Sequence, residues 1–300
     1  MKRRNLLAVA ILSVITMSSC QGKKSNVAAK AEEPTIITDS IRFCESTYPY
    51  DGGILIANFG TEQLNPLNTE GKGYIVFAKD GKNNILIPAD GNLSAPKGMF
   101  IKNNYLFICD VNKIVVYNLN KKEETPQTIR FPEDDLFIND LAASGNYLYA
   151  SVTNSGRIYR IDITDLSKMS QTIPVKWVDI IGPNGIIIED ETMYVASYPA
   201  DGVTTDANVI YQIANLTNPT PQVFINIPGQ YDGIALSADK KTMYITNWTP
   251  AGISAANMST KELTPIQIDD KLIGPADITV AEGIMYIPDL PNSRVIIKKL

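Results

Sequence analysis

The sequence contains no histidine. That absence excludes every mechanism built on an imidazole, whether as base, triad member or metal ligand. Chemistry is left to carboxylates, amides, lysines, tyrosines or a metal held by oxygen. Cysteine is scarce, with three in 300 residues. Cys44 and Cys109 belong to the folded part; they could pair in an oxidising compartment, but two buried free thiols is the simpler reading. Positive charge is nowhere concentrated. The net charge of −5 is spread along the chain, so nucleic acid is not an expected partner. Beyond Cys20 there is no helical periodicity.

What is present begins with a leader. Lys2, Arg3 and Arg4 precede an apolar run from Leu6 to Val14, too short for the ~20 residues that span a bilayer. Ser18 and Ser19 then lead into Cys20. This is the pattern of a bacterial lipoprotein signal in which Cys20 becomes the acylated first residue; an ordinary cleaved secretory signal is the alternative. Residues 1–20 are therefore expected to be removed or lipidated. The chain is expected to be exported, held in the cell envelope by its lipid alone and facing the periplasm. Residues 21–33 are polar, rich in Lys, Ala and Ser, and read as a tether. Residues 34–300 carry no second linker and suit one β domain.

That domain is a repeat of about 46 residues. Six segments share one pattern: Ile54–Asn58, Leu106–Asp110, Leu148–Val152, Met193–Ser197, Met243–Asn247 and Met285–Asp289. Each has strand length and most follow a polar turn, as at Asp51-Gly52-Gly53 or Asn103-Asn104. A short strand precedes each of these segments and one or two follow. We label the four strands A to D and the shared segment B. Four antiparallel strands per unit make a propeller blade, so the chain predicts an all-β, six-bladed β-propeller. The sixth unit ends at Leu300 after three strands, while Pro34 to Phe43 is left over. The leftover stretch is expected to complete the last blade and close the ring.

Aligning the repeats marks one position at the head of each A strand: Glu45, Lys97, Asn139, Asn184, Asp232 and Ala276. Five of the six lie nine residues before their B segment, and Asp232 lies eleven before. If the A strands line the axis, all six face one channel mouth. Two carboxylates crowded there repel unless one protonates or a cation intervenes. Two amides add oxygen ligands without adding charge. Glu45, Asn139, Asn184 and Asp232 are thus candidate ligands of one divalent cation, with calcium favoured by the all-oxygen set. Lys97 either orients a substrate anion or pairs with a carboxylate. Asn184-Gly185 and Asp232-Gly233 carry a competing reading, as turn formers in the D-to-A connections. Phe59, Tyr198 and Trp248 each follow a B segment and are expected at the same rim, as contacts for a sugar-like or other ring-shaped ligand or as plain packing. The connections Gly60 to Lys72 and Pro199 to Ala207 are the longest there and are expected to set specificity.

Asn139-Asp140, Pro183-Asn184-Gly185-Ile186 and Asp232-Gly233-Ile234 resemble the senescence marker protein/gluconolactonase/luciferin-regenerating family. Gly274–Ile278, Tyr286–Asp289 and Asn292–Val295 resemble its bacterial exported members. The likeness runs over nearly all of residues 34–300. It implies a first-blade glutamate, asparagines on the middle blades and a fifth-blade aspartate around one divalent metal. Glu45, Asn139, Asn184 and Asp232 match in type and order, although Glu45-Ser46-Thr47 stands where the family has Glu-Gly-Pro. The resemblance further implies a hydrolase of lactones or small esters, with the metal as Lewis acid and Asp232 as general base. Related propellers that rely on histidines are excluded. The rival reading is a non-catalytic binding propeller for a small ligand or a protein.

Overall fold

The B segments read as continuous apolar runs because both of their faces are covered. Ile54, Leu55, Ile56 and Ala57 are all buried, as are Leu106, Phe107, Ile108 and Cys109. A strand exposed on one face would alternate instead. The computed structural model describes residues 35–300 and arranges them in six four-stranded antiparallel sheets. The leader, Cys20 and the tether lie outside the described residues.

In each sheet the A strand is innermost and the chain meanders outward. The A strands are Cys44–Tyr50, Met99–Lys102, Ile138–Ser144, Pro183–Glu189, Tyr231–Leu236 and Thr279–Ala281. Neighbouring A strands touch one another around the axis. The outermost strand of the sixth blade is Thr35–Ile37, which pairs antiparallel with Arg294–Lys299 through Thr35 opposite Ile297 and Ile37 opposite Val295. The two ends of the described residues are thereby joined in one sheet, and no open edge remains between them.

Six apolar cores lie between the blades, one at each contact. Phe107, Ile114 and Ile129 of blade 2 meet Leu141, Leu148 and Tyr159 of blade 3. Between blades 6 and 1, Val295 meets Cys44, Ile54 and Val76. Among the described residues the only helices are two 3-10 segments, Leu166–Gln171 and Leu290–Asn292. Cys44 and Cys109 are buried and free, and burial pushes both thiols well above their usual range.

Candidate functional site

The ring of channel residues is buried. Lys97 is wholly inaccessible, Asn139, Asn184 and Glu45 nearly so, and Asp232, 7 % exposed, is the most accessible of the five polar members. Four oxygens here have no hydrogen-bond partner: Glu45 Oε2, Asn139 Oδ1, Asn184 Oδ1 and Asp232 Oδ1. They come from blades 1, 3, 4 and 5. Leaving a buried acceptor unpaired costs about 1–3 kcal/mol, so four together mark a place built for something else. No three Asp, Glu or Cys side chains among the described residues form a group suited to a metal. The ring instead combines two carboxylates with two amide oxygens, a hard, uniformly oxygen set that fits calcium.

A bulge aims each of these four side chains. Pairing between A and B strands slips by one residue between Cys44 and Ser46, Ile138 and Leu141, Pro183 and Ile186, and Tyr231 and Ile234. The slips enclose Glu45, Asn139, Asn184 and Asp232. An extra residue breaks the strict alternation of faces and re-aims a side chain. Asn184 and Asp232 therefore sit inside strands, and the turn reading of their Asn-Gly and Asp-Gly pairs is overturned. The glycines serve close packing. A Cβ on Gly185 would lie 2.4 Å from the Asp232 carbonyl oxygen, and one on Gly233 2.4 Å from the Ile278 nitrogen.

Hydroxyls from the B strands lock the bulges. Ser151 Oγ accepts from Asp140 N at 3.0 Å and donates to Asn184 O at 2.6 Å. Thr246 Oγ1 does the same one blade pair further on, accepting from Gly233 N at 2.7 Å and donating to Ala276 O at 2.9 Å. Thr153 Oγ1 accepts from Asn139 Nδ2 at 3.4 Å, which turns Asn139 Oδ1 toward the channel. Residues closing B segments shape the approach to the ring. Asp110 accepts from Ser94 N and Ala95 N ahead of Lys97, and Asp289 accepts from Ile273 N and Gly274 N ahead of Ala276.

Two further carboxylates lie beside the ring. Asp140 accepts from Leu141 N and Ile186 N at 2.7 and 2.8 Å, and Asp277 accepts from Ser46 Oγ at 2.7 Å. Neither was singled out from sequence, although both stand next to a channel position. Burial raises Asp232 to about 7, with the Asp140 charge adding to it. It also raises Asp140 to about 7, and holds Glu45 and Asp277 well above the ordinary carboxylate range. Lys97 is lowered by burial. Its Nζ donates to Ala95 O at 2.8 Å and Pro66 O at 3.1 Å and lies 4.8 and 5.5 Å from the ring centres of Phe137 and Phe59. It forms no ion pair with a channel carboxylate.

Above the ring, the residues that follow the six B segments form a collar: Phe59, Val111, Thr153, Tyr198, Trp248 and Leu290. The sequence pointed to its three aromatics; the same register adds the other three. Phe59, Val111 and Leu290 join Phe43, Ala95 and Ala276 in an apolar cluster, with Leu67, Leu136 and Trp248 packed against it. Phe59 is thus buried packing and not an open rim contact. Tyr198 is half-buried, and burial together with the Asp232 charge pushes its hydroxyl up to about 12.

No family model matches the chain, and no curated protein matches it in sequence. Several solved structures share its fold. A gluconolactonase from Xanthomonas campestris is 12% identical with a TM-score of 0.67, covering 92% of this chain and 93% of that one. Virginiamycin B lyase from Staphylococcus aureus, solved as a catalytically inactive form with quinupristin, is 15% identical with a TM-score of 0.60, covering 89% and 98%. A chain of the nidogen/laminin complex is 14% identical with a TM-score of 0.60, covering 86% and 88%. At these identities the likeness is one of fold.

Proposed function

We propose that Glu45, Asn139, Asn184 and Asp232 hold one divalent cation, calcium before others, and that the protein hydrolyses lactones or small esters. The observation that carries this reading is the set of four buried, unpartnered oxygens, one from each of four blades. A bound divalent ion in such a ring supplies Lewis-acid polarisation of a carbonyl oxygen. The chain supplies the rest. Asp232, the most accessible polar member of the ring and held ionised by the cation, takes the proton of the attacking water. Tyr198 keeps its proton and offers a donor beside Asp232. Lys97 acts as a fixed positive charge, since Pro66 O and Ala95 O already engage its ammonium. Trp248 and Phe59 bound the space above and exclude water. The leader supports an exported, lipid-anchored placement for this activity.

A second reading is a non-catalytic binding propeller, in which the cation is structural. It is favoured by the apolar cluster that covers much of the channel mouth. Thermal melts of the full chain in chelator and then with Ca2+, Mg2+, Mn2+ or Zn2+ test the site. Binding to the native state alone stabilises by about 2.7 kcal/mol at 100 times the dissociation constant. The shift should vanish in Glu45→Gln, and its absence with every ion would sink the cation site. With the site in hand, Asp232→Asn separates the readings: a hydrolase loses turnover on a lactone panel while a binder has none to lose.

A further inference from the structure

The sequence leaves Lys97 two roles, orienting a substrate anion or pairing with a channel carboxylate, and the fold removes the second. Its hydrogen bonds run to Ala95 O at 2.8 Å and Pro66 O at 3.1 Å. An ammonium carries three donors, so one N–H has no acceptor among the described residues. Those two carbonyls and the ring faces of Phe59 and Phe137 favour the charged form, against the lowering that burial imposes. A wholly buried charge without a counter-ion is costly. The neighbouring carboxylates are taken: Asp110 is engaged by Lys113 at 3.6 Å and by the amides of Ser94 and Ala95. Glu45 and Asp232 balance a divalent ion on the reading above. With that ion in place Lys97 is the ring's unbalanced charge, and one anionic group would meet it.

A loop of blade 1 stands over that charge. Residues 61–68 are irregular backbone pinned at both ends. Arg42 donates to Thr61 O at 2.8 Å and to Glu62 O at 2.6 Å, and Asn68 Nδ2 donates to Ser94 O at 3.1 Å. Between the pins Gln63, Leu64 and Asn65 are exposed. The segment is held down by Leu67, packed against the apolar cluster of the mouth, and by Pro66 O on Lys97. A neutral carbonyl is a weaker partner for an ammonium than a carboxylate is, so a carboxylate would displace it.

We propose that Pro66 O is a placeholder, and that a carboxylate of the ligand takes its position on Lys97 as residues 63–67 lift. The substrates are then lactones or esters that carry a carboxylate beside the reacting carbonyl. The reacting group and the charge balance rest on the reading above; capture of a carboxylate by Lys97 is tested apart from both.

The test pairs 5-oxotetrahydrofuran-2-carboxylate with its carboxamide, two γ-lactones of one shape that differ in charge, assayed on the full chain with calcium. Specificity, as kcat/KM, should be at least about tenfold higher for the carboxylate, the lower end of what a hydrogen bond to a charged group contributes. Lys97→Met should bring the two together. Leu67→Ser loosens the loop without touching Lys97 and should lower KM for the carboxylate. Lys176→Met, exposed on the outer strand of blade 3, should leave the preference intact. Equal values for the pair, or a preference that survives Lys97→Met, would overturn the capture and leave the hydrolase reading standing. If no lactone or ester is turned over, the hydrolase reading falls, and Lys97 is judged by binding of tetrahydrofuran-2-carboxylate against its carboxamide, read by saturation-transfer NMR. Carboxylate binding that Lys97→Met abolishes and Leu67→Ser strengthens upholds the capture; no binding to the wild type, or binding of both alike, overturns it.

Discussion

Gly185 lies against Asp232 so closely that a single added carbon would stand 2.4 Å from the Asp232 carbonyl oxygen. The same carbon would also meet the Gly233 Cα at 3.0 Å and the Ile234 nitrogen at 3.1 Å. All three are backbone atoms of the next blade, so no side chain can swing away. The spacing of blades 4 and 5 at the level of the ring depends on Gly185 having no side chain.

Gly185→Ala should therefore destabilise the fold by ~2 kcal/mol, the scale of overpacking in a tight core. The same change forces Asn184 and Asp232 apart, so the calcium-dependent gain in melting temperature should shrink with it. Urea unfolding with and without calcium reads both. A loss of stability with the calcium shift unchanged would show that the two blades are not held in register for the ring.

Removing the cation should make stability depend on pH with a definite sign. Glu45, Asp140, Asp232 and Asp277 all have raised affinities for protons in the fold, whereas in the unfolded chain carboxyls titrate near 4. Between about pH 4 and pH 7 the native state then binds more protons than the unfolded state, and stability falls as pH rises. Chelator-treated protein should melt at a higher temperature at pH 5 than at pH 7.5. Saturating calcium keeps Glu45 and Asp232 ionised in the fold and should remove most of that slope. A chelated protein whose stability rises over this range would contradict the assignment.

Lys97 faces the same channel as Glu45 and Asp232 without pairing to either. Its ammonium opposes a second positive charge nearby, so Lys97→Met should tighten calcium binding by at least about threefold, a modest share of the repulsion between close charges at a partly screened site. The variant keeps the aliphatic stem against Phe59 and Phe137, which limits the change in packing. Calcium titration followed by calorimetry gives the answer. Weaker binding in Lys97→Met would mean that the ammonium organises the ring and does not oppose the ion.

The six blades, the ring closure through the N-terminal strand and the height of each channel residue were legible in the sequence. They rest on local facts: apolar segments of strand length, turn residues between them, and a nine-residue offset, shared by five of the six positions and lengthened to eleven at Asp232, that covalent geometry converts into a distance along the axis. The sequence could not say which way those residues point. One extra residue in an A strand reverses the facing of all that follow; Ser151 holds the bulges at Asn139 and Asn184, Thr246 holds that at Asp232, and the backbone of Asp277 meets that at Glu45. For the same reason Asn184-Gly185 and Asp232-Gly233 read as turns when taken alone and act as close contacts in the fold. Glycine's missing Cβ serves either purpose, and only the position of the next blade decides between them. Which oxygens are left unpaired, and that Phe59 is packed in an apolar cluster with Val111 and Leu290, follow from contacts between residues far apart in the chain. Those contacts belong to the tertiary structure alone.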